Sequence, residues 1–323
     1  MTDKHKKPLV ILTGPTAVGK TELSVRLAKR IGGEIISADS MQVYRRMDIG
    51  TAKIKPEETD GVTHHLIDIL EPTEDFNVYL FRELAKKAMD GIYSRGTVPI
   101  ITGGTGFYIQ SVLYDIDFTD TDTDTGYRAE LTELAKEKGA DYLHEMLSEI
   151  DSESAAAIHP NNVKRVMRAL EYHHQTGQKM SEHNREQSAK ESPYNFVYFV
   201  LNDERAAIYD RIDRRVDAML ENGLLDEVKS LLSEGCDKSL VSMKGLGYKE
   251  IIDYYNGETT LEEAVRVLKR DTRHFAKRQL TWFGREKDVT FVNINEFDVG
   301  SREEVQNAVL EHMLKILYDK NIM

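Results

Sequence analysis

The chain reads as an α/β fold, a parallel sheet flanked by helices with an all-helical domain inserted into it. Three observations predict this. Short apolar runs alternate with helical periodicities from residue 9 to about 114, as a sheet covered on both faces requires. From Arg128 to about Glu186 the pattern is wholly helical, and an apolar run returns at Phe196–Leu201. Between the first strand and the first helix, Gly14-Pro15-Thr16-Ala17-Val18-Gly19-Lys20-Thr21 fits G-x-x-x-x-G-K-[ST] at every fixed position, which specifies a P-loop NTPase-like core.

Taken in order, Leu9-Val10-Ile11-Leu12 is the first strand, apolar throughout because helices cover both of its faces. The glycine-rich loop follows, then a helix carrying Leu23, Leu27 and Ile31 at spacings of four. Glu34-Ile35-Ile36-Ser37-Ala38-Asp39 is a second strand that ends in a carboxylate. Phe81–Tyr93 is helical, and Val98–Thr102 is a further strand closed by Gly103-Gly104-Thr105-Gly106. Asp115–Gly126 is rich in aspartate and threonine and lacks periodicity. Its Asp120, Asp122 and Asp124 begin like a calcium loop, but Thr125 and Leu131 stand where the turn glycine and closing glutamate belong, so the segment reads as a hinge. In the helical stretch Val163, Val166, Met167 and Leu170 share one face, with Gly177 as the stop. After the strand at 196–201, long helices are predicted over 204–233 and 261–283. The expected domains are a core of residues 1–115 and 200–323 and a helical insertion of 116–199.

No apolar run approaches the roughly 20 residues of a membrane span, and the N-terminus lacks a signal peptide, so a cytoplasmic protein with no membrane partner is expected. One cysteine, Cys236, excludes an internal disulfide. The net charge of −12 argues against a nucleic-acid partner when taken alone. The charges are segregated, however: Arg266 to Lys287 holds eight Lys/Arg against two acids, Asp271 and Glu286. Arg266, Arg270, Arg273 and Lys277 form a stripe opposite Leu261, Val265, Leu268 and Phe275 on the 261–283 helix, and Lys164, Arg165 and Arg168 repeat the design on the insertion. Such an imbalance favours a phosphate-rich partner over a solvated face.

Glycines let the backbone wrap an anion, the helix N-terminus adds partial positive charge, and Lys20 adds a full one. The Thr21 hydroxyl is then a candidate ligand for Mg2+. The guanine-reading [NT]-K-x-D of a switch GTPase is missing. Asp39 emerges at the sheet edge that carries the phosphate loop, where it can act as a general base on a bound acceptor. Two readings fit these residues: a small-molecule or nucleotide kinase, and a transferase whose donor carries a diphosphate.

The loop at 14–21, Asp39-Ser40-Met41-Gln42-Val43-Tyr44, Met47-Asp48-Ile49-Gly50-Thr51-Ala52-Lys53, Gly103-Gly104-Thr105-Gly106 and Ala276-Lys277-Arg278-Gln279-Leu280-Thr281-Trp282-Phe283 occur in that order. Together they closely resemble the bacterial tRNA dimethylallyltransferases, also called tRNA isopentenyltransferases, from about Pro8 to beyond Trp282. The resemblance implies transfer of a dimethylallyl group from dimethylallyl diphosphate to the exocyclic amine of the adenosine 3′ of the anticodon. The P-loop residues Gly14, Pro15, Thr16, Ala17, Val18, Gly19, Lys20 and Thr21 would then hold a prenyl diphosphate and not ATP. By the same resemblance Asp39 is the base, Thr16 contacts the donor near its bridging oxygen, and Arg215 reaches the diphosphate. Asp39, Ser40, Met41, Gln42 and Thr105 would line the channel for the adenine. Arg128, Lys164, Arg165 and Arg168 on the insertion, with Arg273, Lys277 and Arg278, would contact the anticodon stem-loop of tRNA, and a monomer is expected. Arg211 reads only as a surface charge, and Tyr248 as structural. The chain departs from the family in having Gly284 directly after Thr-Trp-Phe, with Arg285 one place later. His64 and His65 lack partners at ligand spacing and read as structural.

Overall fold

The computed structural model describes residues 6–117, 125–297 and 300–323; the hinge reading at Asp120, Asp122 and Asp124 falls outside them. The chain divides into two compact units, Met1–Leu113 with Pro193–Met323, and Tyr114–Ser192. The division falls two residues before and seven before the expected limits of 115 and 199. The second difference has a clear cause: the returning strand starts at Tyr194 and pairs with the first strand from its first residue.

In the first unit β1 (Lys7–Thr13), β2 (Gly33–Ala38), β3 (His64–His65), β4 (Val98–Gly103), β5 (Tyr194–Asn202) and β6 (Val289–Asn293) form one sheet in the order β3-β2-β4-β1-β5-β6. Every pairing is parallel. On one face Val10, Leu12, Ile35, Ile100, Val197 and Phe199 are buried with Leu23 and Leu27 of α1 (Lys20–Ile31). Leu310, Met313, Leu314 and Leu317 of α13 (Arg302–Asp319) complete that cluster. Because successive strand side chains point to opposite faces, Leu9, Ile11, Ile36, Ile101 and Tyr198 lie on the other face, and they are also fully buried. There α2 (Val78–Ser94) lies against β2 and β4, and α3 (Gly106–Leu113) packs beside it. Phe81 of α2 stacks on Tyr108 of α3 with ring centroids 4.6 Å apart.

The predicted 204–233 helix is two helices, α9 (Arg205–Glu221) and α10 (Leu224–Ser233). Gly223 separates them with φ 99°, a left-handed conformation that breaks the helix at little steric cost to glycine. Next come α11 (Tyr248–Tyr255) and α12 (Leu261–Phe283), the latter with the predicted bounds. The buried side of α12 carries Ala264, Leu268, Ala276, Gln279 and Phe283, so Leu261, Val265 and Phe275 are only partly covered.

The second unit holds α4 (Thr125–Lys138), α5 (Ala140–Ile150), α6 (Ser152–Ala157), α7 (Val163–Thr176) and α8 (Met180–Ser188). Its own core is Leu131, Leu143, Leu147, Val166, Ala169 and Leu170. Asp151 accepts from the Ser154 and Ser181 backbone amides at 3.0 and 2.9 Å, tying the start of α6 to the first turn of α8.

One charge cluster around the buried Glu34 anchors β2 and β3. Arg95 holds Glu34 with two hydrogen bonds of 2.7 and 2.8 Å, and His65 Nε2 lies 2.8 Å from the same carboxylate. His64 and His65 therefore serve the sheet edge, and among the described residues no His/Cys/Asp/Glu group fit for a metal is found. The Arg95 guanidinium holds the Glu34 carboxyl down at about 2. A carboxyl depressed in the fold stabilises it above the ordinary value of about 4.5, and that contribution is lost as pH falls toward 2. Arg95→Ala should accordingly destabilise the fold near neutrality, by an amount reduced by solvent around the half-exposed arginine. In thermal melts the difference from wild type should shrink as pH falls below about 4.5 and vanish near pH 2; a difference independent of pH would refute this origin.

Candidate active site

The functional edge is built where three neighbouring strands end together. Parallel pairing sets Thr13 of β1 and Ala38 of β2 on either side of Gly103 of β4. The Thr13 hydroxyl donates to the Gly103 carbonyl at 2.6 Å, and the Thr105 amide donates to the Ala38 carbonyl at 3.2 Å. The P-loop, the Asp39 turn and the Gly104-Thr105 loop therefore leave the sheet side by side, at the carboxyl ends where open α/β sheets bind ligands.

The loop from Gly14 to Gly19 is tightly wound. Gly14 has φ 144°, and a Cβ there would stand 2.4 Å from the Leu201 carbonyl oxygen of β5. Ala17 is left-handed with φ 63°, a rare conformation for a residue with a Cβ. Arg211 of α9 holds it in place: its Nε donates to the Ala17 carbonyl at 2.9 Å while its other end pairs with Asp203 at 2.7 Å. Arg211 is thus a brace for the loop and not the surface charge expected from sequence. Helix α1 starts at Lys20 with no side-chain cap on its first amides, which leaves them to an anion. Lys20 folds back across the loop, donating to the Gly14 and Pro15 carbonyls at 3.0 and 2.8 Å.

Positive charge accumulates here without full compensation. Burial and the Arg215 guanidinium push the Lys20 ammonium down to about 7, while Asp39 acts the other way. Arg215 of α9 is itself lowered by burial and supported by Asp39. Among the described residues Arg215 has no carboxylate within ion-pair distance. A half-buried cation without a partner is costly, and an incoming anion relieves that cost. Lys20, Arg215 and Asp39, distant in sequence, are therefore one electrostatic group.

Asp39 uses Oδ1 to accept from the backbone amides of Met41 and Gln42, at 2.8 and 3.3 Å. That fixes the carboxyl and leaves Oδ2 without a partner among the described residues. The half-buried Gln42 amide has internal partners, donating to the Thr51 and Ala52 carbonyls at 3.3 and 3.4 Å and accepting from the Ser37 hydroxyl at 3.3 Å. It ties the Asp39 turn to the 47–53 loop. That loop is set from below: Glu227 of α10 accepts from the amides of Asp48, Ile49 and Gly50 at 2.9, 2.7 and 3.0 Å and from the Tyr248 hydroxyl at 2.7 Å. Tyr248 is fully buried, so its place is structural.

The basic stripe divides in two. Arg266 pairs with Glu263, Arg270 with Asp271, Lys269 with Asp217 and Arg273 with Asp213 at 2.5 Å. Asp213 and Asp217 lie one turn apart on α9 and neutralise that half from outside its own helix, where no reading of the 261–283 stretch alone would find them. Farther along, Lys277, Arg278 and Arg285 line an open hollow of about 410 Å³ with His274, Thr281 and Trp282. Gly284 ends α12 as its cap, and the arginine displaced by one position still reaches this hollow. In the helical unit Lys164 and Arg165 are exposed on the first turn of α7 and Arg168 is half-exposed, whereas Arg128 grips the buried Glu171 with bonds of 2.5 and 2.9 Å.

The sequence reading missed Gln279, buried on α12 amid exposed neighbours. Its Oε1 accepts from the Thr16 amide at 2.9 Å and its Nε2 donates to the Gly104 carbonyl at 3.0 Å. Arg211 and Glu227 were missed for the same reason: their partners are backbone atoms, which leave no trace in composition or periodicity.

The family model described as IPP transferase matches residues 42–286, and that described as isopentenyl transferase matches 7–72. The chain belongs to the IPP transferase family. It is 60% identical over 317 residues to a tRNA dimethylallyltransferase of Lachnoclostridium phytofermentans, covering 98% of this chain and 99% of that one. The tRNA dimethylallyltransferase of Acetivibrio thermocellus is 51% identical over 290 residues, 90% of this chain and 93% of its own. Among solved structures, the full-length tRNA isopentenylpyrophosphate transferase of Bacillus halodurans aligns with a TM-score of 0.71 at 47% identity, covering 98% of both chains. A eukaryotic dimethylallyltransferase acting on tRNA aligns with a TM-score of 0.79 at 29% identity, over 92% of this chain and 77% of that one. These relatives are transferases, and they support the transferase reading over the kinase.

The lowered Lys20 value makes a prediction about anion binding. Diphosphate binds the protonated amine, so the affinity that Lys20 contributes should fall as pH rises through about 7. Titrating inorganic pyrophosphate into wild type and Lys20→Met between pH 6 and 8.5 isolates this contribution, because the ionisation of the ligand cancels. The gap between the two should narrow as pH rises; a constant gap would show that Lys20 stays charged.

Proposed function

We propose that the chain transfers a dimethylallyl group from dimethylallyl diphosphate to the exocyclic amine of the adenosine 3′ of the anticodon in tRNA, releasing diphosphate. The observation that carries this is the meeting of Lys20, Arg215 and Asp39 where β1, β2 and β4 end: two cations for a leaving diphosphate beside one carboxylate for an acceptor. The relatives' names support tRNA and a prenyl diphosphate as substrates, and the geometry supports this division of labour.

The amine lone pair of adenine is delocalised into the ring, so attack on the allylic carbon needs orientation and a proton acceptor. As the nitrogen–carbon bond forms and the carbon–oxygen bond breaks, the electron pair leaves with the diphosphate and one amine proton goes to Asp39. Lys20, Arg215 and the uncapped first turn of α1 stabilise the negative charge where it develops. Thr16 lies in the loop that receives the donor. The hydroxyl of Thr21, exposed on the first turn of α1, suits Mg2+, which needs only one or two protein ligands when it also binds phosphate oxygens. Bound there, the ion would add charge neutralisation for the leaving group.

Thr105 stands beside Ala38 and Asp39 on the acceptor side. Lys277, Arg278 and Arg285 offer free positive charge for the phosphates of the tRNA anticodon stem-loop, and Lys164 and Arg165 offer it on the helical unit. Arg273, Arg128 and Gln42 have internal partners and are assigned to support.

The deciding assay is incorporation of label from radiolabelled dimethylallyl diphosphate into unmodified tRNA with Mg2+ and without ATP. Label that disappears when the target adenosine is guanosine establishes donor, acceptor and reaction. ATP consumption with a small acceptor, and no label in tRNA, would restore the kinase. Asp39→Ala should slow the chemical step roughly 10²–10⁴-fold with tRNA affinity little changed. Equal losses of binding and rate would remove Asp39 as the base.

A further inference from the structure

We propose that Gln279 is a positioning residue that sets the separation between the donor loop and the acceptor loop, an inference that rests on the transfer reaction proposed above. Gln279 is 6% exposed, yet its helical neighbours Lys277, Arg278 and Thr281 face solvent. A buried amide must find partners for both ends, and Gln279 finds them on two different loops. Oε1 accepts from the Thr16 amide at 2.9 Å, and Nε2 donates to the Gly104 carbonyl at 3.0 Å. Only this orientation satisfies a backbone donor and a backbone acceptor together.

Thr16 belongs to the loop after β1, which takes the donor. Gly104 belongs to the loop after β4, which carries Thr105 on the acceptor side. The sheet ladder joins these segments only as far as Thr13 and Gly103. Beyond that point the glutamine spans the gap from α12, a helix of a different part of the chain. The fit is close: a Cβ on Gly104 would stand 2.1 Å from Nε2, and its only other near neighbour outside the glutamine is the Gly14 carbonyl oxygen at 4.0 Å. Gly104 lacks the positive φ that would favour glycine for conformational reasons, so the space is reserved for this contact. An apolar side chain would dock α12 equally well. The amide adds a fixed distance between loops whose substrates must bring reacting atoms within about 3–3.5 Å, where a displacement of 1 Å can lower the rate about 10²-fold.

The test is a double-mutant cycle on the labelling reaction with Gln279→Ala, Gly104→Ala and the pair. Each single change should lower kcat about 10–100-fold while KM for dimethylallyl diphosphate moves less than about threefold, because Lys20, Arg215 and the first turn of α1, which carry the charge interactions with the diphosphate, are not among the glutamine's partners. The pair should be no slower than the slower single variant, since removing the glutamine vacates the space the new methyl needs. Losses that multiply, or losses carried by KM with kcat at the wild-type level, would overturn the proposal. Should Gln279→Ala fail to fold in thermal melts, Gln279→Met keeps the buried volume and removes both hydrogen bonds. A lowered kcat in that variant supports the role, and a wild-type kcat refutes it. No label from the wild-type enzyme would sink the transfer reaction and this inference together, whereas an active wild type with multiplicative variants would sink this inference alone.

Discussion

Everything at the functional edge depends on the parallel register that ends β1, β2 and β4 level with one another. Thr13 and Ala38 flank Gly103 across two ladders, and strands in a ladder lie about 4.8 Å apart. Three loops from distant parts of the sequence are thereby delivered into one small volume before any side chain acts. A parallel sheet can do this because each return crosses over through a helix, so all strands start at one edge and finish at the other.

Around that edge the protein manages charge by pairing some cations and sparing others. It is acidic overall, and many of its surface arginines and lysines find carboxylates close by. On α12 the first half of the basic stripe is neutralised by Glu263, Asp271, Asp213 and Asp217. Among the described residues neither Lys20 nor Arg215 has a carboxylate within ion-pair distance, and burial makes their repulsion count: it pushes the Lys20 ammonium down to about 7 against the pull of Asp39. The site thus presents buried positive charge that an anion of high charge would relieve.

The groups that hold the site in shape are mostly side chains bonded to backbone. Arg211 fixes the left-handed Ala17, Glu227 gathers three successive amides of the 47–53 loop, and Gln42 ties that loop to the Asp39 turn. Lys53, almost fully buried, closes the same loop by donating to the Tyr44 carbonyl at 2.7 Å and to Asp48 and Asp68 at 2.6 and 2.5 Å. The Arg211 and Glu227 contacts cross between elements remote in sequence, the Gln42 and Lys53 contacts close one loop on itself, and together they preorganise the surface.

Sequence alone determined the alternation of strands and helices, the phosphate loop with its flanking strand and helix, the carboxylate at the end of β2, and the bounds of α12. Each rests on local periodicity or on a motif whose spacing is dictated by backbone geometry. It also determined the family, because five ordered motifs span nearly the whole chain. Edge strands β3 and β6 were not legible, since two and five residues carry too little pattern to separate from loop. Helix α13 was not read from the sequence, and what its Leu310, Met313, Leu314 and Leu317 cover is set only by folding. The tertiary structure alone decided which basic residues remain unpaired, that Arg211 serves the loop, that Arg128 serves Glu171, and that Gln279 links Thr16 to Gly104. The physical reason is the same in each case: hydrogen bonds and ion pairs depend on distance and direction between groups far apart in the chain, and a sequence records only the order in which those groups occur.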